Sequence, residues 1–161
     1  MMPDAMSNPA AFPSPDLAFA QGVFVPLPGA PRLALPIDAV KLSAGFPSPA
    51  ADYEESRLDI NEYLVRNPVS TFFFPVQGDS MEGAEIFDGD ILVVDKSVRP
   101  RHGHIVVAFV DGLRLVKRLY RQGGRMALEA ENPTYPVLEV TAEMDCVIWG
   151  VVVGKFKRMP V

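Results

Sequence analysis

The sequence predicts a mainly β domain, mostly antiparallel and partly barrel-like, preceded by a flexible N-terminal arm. Short β-branched and aromatic runs recur after Val69, with Gly, Asn and Pro between them. The dipeptide Asp111-Gly112 separates two such runs and is the strongest short hairpin signal. Ten of the sixteen prolines fall in residues 1–50, a span with only five charged side chains. Proline removes backbone donors and resists helix, so residues 1 to about 30 are expected to be extended or disordered.

The elements follow in order. From Asp52 to Arg66, DYEESRLDINEYLVR carries apolar residues at Leu58, Ile60, Tyr63 and Leu64, with Pro68 soon after. One short helix, or a helical turn ending before Asn67-Pro68, is expected there. Strands are then expected at STFFFPV, DILVVD, HIVVAFV, LRLVKRLY, RMALEAE, VLEV and CVIWGVVVGKF, about seven in all. Phe72, Phe73 and Phe74 need a buried face, in the core or at a subunit contact. Trp149 reads as core or interface, and Cys146 as a small buried hydrophobe with no positive or histidine neighbour to activate it. Asp88 and Asp90 flank Gly89 as turn-formers rather than an acid–base pair.

Composition narrows the function. The 161 residues suit one domain with an appendage, and a hydrophobic fraction of 48% allows a real core. The net charge of −5 opposes autonomous duplex DNA binding, which draws on phosphate neutralisation. Arg114, Lys117, Arg118, Arg121 and Arg125 form a local basic run that reads as a solvated strand face and turn, so direct sequence-specific DNA binding is not expected. No apolar run is long enough to cross a membrane as a helix. The first sixteen residues hold no Lys or Arg, unlike a secretory signal, and the single cysteine suits a reducing compartment. A cytoplasmic location is expected.

One serine stands out. VQGDSMEGAEIFDGD places Ser80 after a strand, in a Gly- and Asp-containing turn that can expose a hydroxyl and converge backbone N–H groups. The plain alternative is an ordinary turn residue. A serine nucleophile needs a base, and the two histidines, His102 and His104, read as exposed turn residues flanking a glycine. No third ligand accompanies them, so no metal is expected, and no cofactor is called for. Lysine is the other candidate. Strand alternation over Leu113–Leu119 puts Lys117 on the face of Leu113, Leu115 and Leu119, with Arg114, Val116 and Arg118 opposite. Lys117 is then either an edge residue reaching for water or a buried amine. Burial disfavours the ammonium and lowers its pKa from about 10.4, at about 1.36 kcal/mol per unit. A neutral amine near Ser80 could take the hydroxyl proton and return it to a leaving amine.

The ordered set AGFPSPAADY, GDSM, DGDILVVD, HGHIVVAFVDG and LVKRL resembles the UmuD family, SOS-mutagenesis relatives of the self-cleaving domain of LexA repressors. The resemblance runs from about Leu42 to Lys157. It implies a LexA/UmuD-like, signal-peptidase-like, partly open antiparallel β-barrel. It also implies a Ser–Lys dyad, with Ser80 as nucleophile and Lys117 as general base, and an oxyanion site at the backbone of Asp79 and Ser80. The implied scissile bond is Ala44–Gly45, which divides the chain into an arm, 1–44, and a peptidase-like domain, 45–161. The implied partners are a second copy of the chain, a RecA filament on single-stranded DNA that stimulates cleavage, and a UmuC-like translesion polymerase subunit. The N-terminal region lacks the helical pattern of a DNA-binding domain, which favours the mutagenesis branch over the repressors. Ala44 stands where a cysteine is associated with the branch, and the leader is longer and richer in proline. Two other functions compete: a non-catalytic dimeric binding module of a polymerase complex, and a general Ser–Lys peptidase, which would need a membrane anchor.

Overall fold

The computed structural model describes residues 31–38, 44, 45 and 55–161. Its elements are β1 (Ala34–Asp38), β2 (Glu55–Asp59), the short helix α1 (Ile60–Leu64), β3 (Thr71–Pro75), β4 (Ile91–Asp95), β5 (Ile105–Val110), β6 (Leu113–Gln122), β7 (Arg125–Glu129), β8 (Leu138–Glu139) and β9 (Cys146–Phe156). β3 to β9 form one antiparallel sheet in the order β3-β4-β9-β5-β6-β7-β8. β3 and β8 are its two edges and do not pair, so the sheet stays open. The mainly β, partly open expectation holds, and each of the seven expected strands is present.

Turn chemistry sets the register. Asp111 and Gly112 both take positive φ, 48° and 82°, the mirror-image turn whose twist suits a two-residue hairpin. Val110 therefore pairs with Leu113, and the β5–β6 ladder follows from there. Gly123 and Gly124, at φ 58° and 77°, join β6 to β7 in the same way.

Both faces of the sheet are covered. Phe74, Met81, Ile86, Leu92, Val94 and Val107 form one core cluster, and Val106, Ala108, Val110, Leu119, Leu128 and Val151 form the other. Successive β5 residues thus serve opposite sides, as strand alternation requires. A bulge opposite Val107 and Ala108 leaves Trp149 as the extra residue of β9. Its ring stacks on Phe109 at 6.0 Å and meets the edges of Phe72 and Phe74 at 4.8 and 5.0 Å. Phe73 points to the other side, against Phe156. Cys146 packs, half-buried, on the second cluster, and burial pushes its thiol pKa up.

The segment expected as one short helix, or a helical turn ending before Asn67-Pro68, divides, and the turn is what is found. Glu55–Asp59 is a strand, paired with Ala34–Asp38, and only Ile60–Leu64 is helical. The long-range partner β1 overrides local helical preference, which sequence pattern alone does not reveal. Asp59 makes the switch: its carboxylate accepts the Leu33 N–H at 2.5 Å and caps α1 through the Glu62 N–H at 3.1 Å. The expected disorder of residues 1 to about 30 lies outside the described residues. The basic run is partly engaged: Arg118 pairs with Glu131, Arg125 with Glu139, and Arg114 lies over the Phe109 ring. No helix among the described residues is long and apolar enough to cross a membrane.

Leu119 has no exposed surface and sits at the centre of the second cluster. Leu119→Ala should lower the unfolding free energy by about 2–5 kcal/mol, measured by urea denaturation as a shift in midpoint at unchanged slope.

Candidate active site

The serine loop is built outward from the β3–β4 pair. Past β3, Val76 continues the ladder: its N–H donates to the Asp90 carbonyl and its own carbonyl accepts the Gly89 N–H. Gly78 then turns at φ 95°, and its N–H donates to Asp88 Oδ1 at 2.8 Å. Met81, almost fully buried, anchors the loop from below, and its carbonyl accepts the N–H groups of Ala84 and Ile86. Burial pushes the Asp90 carboxyl up, but the Phe87 N–H and Lys155 outweigh this and leave it below the usual carboxylate value.

A second segment, after β7, braces the loop from outside. The Glu131 N–H donates to the Ser80 carbonyl at 2.9 Å, and the Gly83 N–H donates to the Glu131 carbonyl at 2.8 Å. A side chain at Gly83 would put its Cβ 2.6 Å from that carbonyl oxygen, so the approach demands glycine. Asn132 Nδ2 donates to the Asp79 carbonyl at 3.0 Å, and the Tyr135 hydroxyl donates to Asp79 Oδ1.

Lys117 arrives from β6. That strand is interior to the sheet, paired with β5 at Val106 and with β7 from Arg118 onward. Leu115 and Leu119 pack into one cluster while Val116 packs into the other, so the face alternation is as the sequence implies. Of the two readings of Lys117, the buried amine is the one found: the side chain is half-buried and Nζ donates to Ser80 Oγ at 2.7 Å. Among the described residues no carboxylate forms an ion pair with it. Burial pushes the Lys117 ammonium below the ordinary lysine value. Both side chains line a cavity of about 300 Å³ whose wall is part apolar, from Phe74, Val76, Leu92, Val107 and Val116, and part polar, from Gln77 and Arg114.

Among the described residues the N–H groups of Asp79 and Ser80 meet no hydrogen-bond acceptor. Ala44 and Gly45 are exposed, and neither lines the cavity, so the structure does not bring the expected scissile bond to Ser80. His102 and His104 lie apart from it, each accepting a backbone N–H through Nδ1, from Arg121 and Arg101. Among the described residues no group of three or more His, Cys, Asp or Glu is placed to hold a metal ion. The sequence reading missed Glu131, Asn132 and Tyr135. Their only signal was a turn-forming Asn-Pro pair, which says nothing about the loop it would meet.

Residues 36–153 match the family described as Peptidase S24-like. The chain belongs to that family. Among its relatives, Protein MucA of Salmonella typhimurium is 44% identical over 135 residues, covering 83% of this chain and 92% of MucA. Protein SamA of Salmonella typhimurium strain LT2 is 48% identical over 103 residues, covering 64% of this chain and 73% of SamA. LexA repressor 1 of Geobacter sulfurreducens is 40% identical over 128 residues, covering 79% of this chain and 62% of the repressor. The expected kinship with the UmuD family stands on these relatives.

For this S24-like chain the Lys117 amine should titrate below the ordinary lysine value of about 10.4. Lysine side-chain NMR across the alkaline range, with Lys117→Arg to assign the signal, checks it; an amine titrating at or above that value would contradict the burial seen here.

Proposed function

We propose that this protein is a self-cleaving SOS-mutagenesis protein that hydrolyses its own Ala44–Gly45 bond with a Ser80–Lys117 dyad. The observation that carries the reading is the 2.7 Å contact between Lys117 Nζ and Ser80 Oγ, made by a half-buried lysine that pairs with no described carboxylate. Once Nζ loses its proton, the bond reverses and the Ser80 hydroxyl donates to the nitrogen lone pair. Ser80 Oγ attacks the Ala44 carbonyl carbon, Lys117 takes the hydroxyl proton, and the Asp79 and Ser80 N–H groups receive the oxyanion. Collapse breaks the Ala44–Gly45 bond, and Lys117 returns the proton to the departing Gly45 amine. Water, deprotonated by Lys117, then hydrolyses the Ala44–Ser80 ester and frees the serine.

Because Ala44 and Gly45 lie exposed in this conformation, the segment must swing into the cavity before it is cut. β1 and β2 flank that segment and pair with each other at its two ends. Within this reading a RecA filament on single-stranded DNA favours the inserted state. The product, residues 45–161, acts in the cytoplasm as a dimer with a UmuC-like translesion polymerase subunit. The finer parts of this reading draw on the UmuD-family kinship.

The test is direct. Purified protein incubated with activated RecA filament should yield a fragment whose N-terminus is Gly45, and Ser80→Ala or Lys117→Ala should yield none. Persistence of the same cut in either variant would remove the dyad. A wild-type chain that stays whole after prolonged alkaline incubation, with and without RecA filament, would leave a non-catalytic binding module. The pH dependence has a definite sign. The base is the neutral amine, so the cleavage rate should rise with pH through the lowered Lys117 pKa and then level off. A flat profile from about pH 6 to 10 would contradict a lysine base.

A further inference from the structure

The peptide plane between Asp79 and Ser80 carries the chemistry proposed for this site. A trans peptide points its carbonyl and its N–H in opposite directions, so whatever holds the Asp79 carbonyl also aims the Ser80 N–H. Asn132 holds that carbonyl through Nδ2 at 3.0 Å, with the Glu82 N–H as a longer second donor at 3.3 Å. The Asn132 amide is itself fixed: its Oδ1 accepts the Thr134 N–H at 3.1 Å and Oγ1 at 2.8 Å, which leaves Nδ2 as the outward donor. The same turn, closed by the Tyr135 N–H on the Asn132 carbonyl, delivers the Tyr135 hydroxyl to Asp79 Oδ1. One turn thus grips one residue by both its carbonyl and its carboxylate.

We propose that Asn132 and Tyr135 are positioning residues for this reaction, orienting the Asp79–Ser80 peptide so that the Ser80 N–H meets the oxyanion while Oγ faces Lys117. The inference rests on the Ser80–Lys117 reading and deepens it. Neither side chain touches Ser80 Oγ; the Tyr135 ring lies 5.8 Å from Lys117 Nζ, and its hydroxyl is spent on Asp79. The hydrogen bond to Asp79 pushes the Tyr135 hydroxyl pKa up, which favours its protonated, donating form.

The experiment is the first-order self-cleavage rate of the full chain as a function of pH, for wild type, Asn132→Ala, Tyr135→Phe, Asp79→Ala and the Asp79→Ala/Tyr135→Phe double variant. Asn132→Ala should lower the alkaline plateau roughly tenfold to a hundredfold, the scale of a misaimed reacting group or a lost oxyanion donor. Tyr135→Phe keeps the ring and should lower it roughly threefold to tenfold. In both variants the midpoint of the pH profile should stay at the wild-type value, because the surroundings of the Lys117 amine are unchanged. General loosening of the fold would move it. Tyr135→Phe should add nothing to Asp79→Ala, since both cut the same grip. Thermal unfolding followed by circular dichroism identifies any variant that fails to fold, and Tyr135→Phe, at an exposed position, serves if Asn132→Ala does. Wild-type cleavage with both single variants cutting at the wild-type rate would overturn this inference alone. So would a shifted midpoint, or additive losses in the double variant. A wild-type chain that never cuts would overturn the reading beneath it as well.

Discussion

The site depends on keeping one amine partly out of water and, among the described residues, unpaired with any carboxylate. Lysine is strongly hydrated, and half-burying it weakens the ammonium relative to the free amine. The protein achieves this by placing Lys117 on an interior strand. β5 pairs along one side of β6, and β7 covers its far half. The neighbouring cation, Arg118, is turned to the other face and engaged by Glu131 and the Gly103 carbonyl. An aspartate at hydrogen-bond distance from Nζ would restore the ammonium and cancel the effect; among the described residues its hydrogen-bond partner is instead the neutral hydroxyl of Ser80.

The serine is held with equal care, and by parts of the chain far away in sequence. Met81 is pinned in the core, Gly78 is tied to Asp88, and the Glu131–Tyr135 segment closes over the outside. The 2.6 Å approach at Gly83 shows how little room is left between those two segments. A hydroxyl on so constrained a loop loses little freedom when it meets its partner, and preorganisation of this kind is where most of the rate advantage of such sites arises. The Ala44–Gly45 segment is different. It is exposed, and it connects two strands whose side chains are largely in solvent, a pairing that is marginal by itself.

Much of the fold was legible because the seven core strands carry local signals. β-branched and aromatic runs, the Asp111-Gly112 turn and the alternation around Lys117 all encode structure within a few residues. β1 and β2 were not legible, since Glu55–Asp59 becomes a strand only because Ala34–Asp38 lies beside it. The same holds for Trp149. Its residue type announced a buried ring, but the bulge that aims it at Phe72, Phe74 and Phe109 arises from the register between β5 and β9.

For the site, the sequence by itself determined the residue types and the face of β6 that carries Lys117, because side-chain direction in a strand follows from period alone. It left open whether that lysine reached water or Ser80. Only the tertiary structure decided this, by setting β6 inside the sheet and bringing a loop thirty-seven residues away to within 2.7 Å. It also decided that Glu131, Asn132 and Tyr135 brace the serine loop. A contact between distant segments depends on how the sheet folds them together, and no local pattern of residues carries that information.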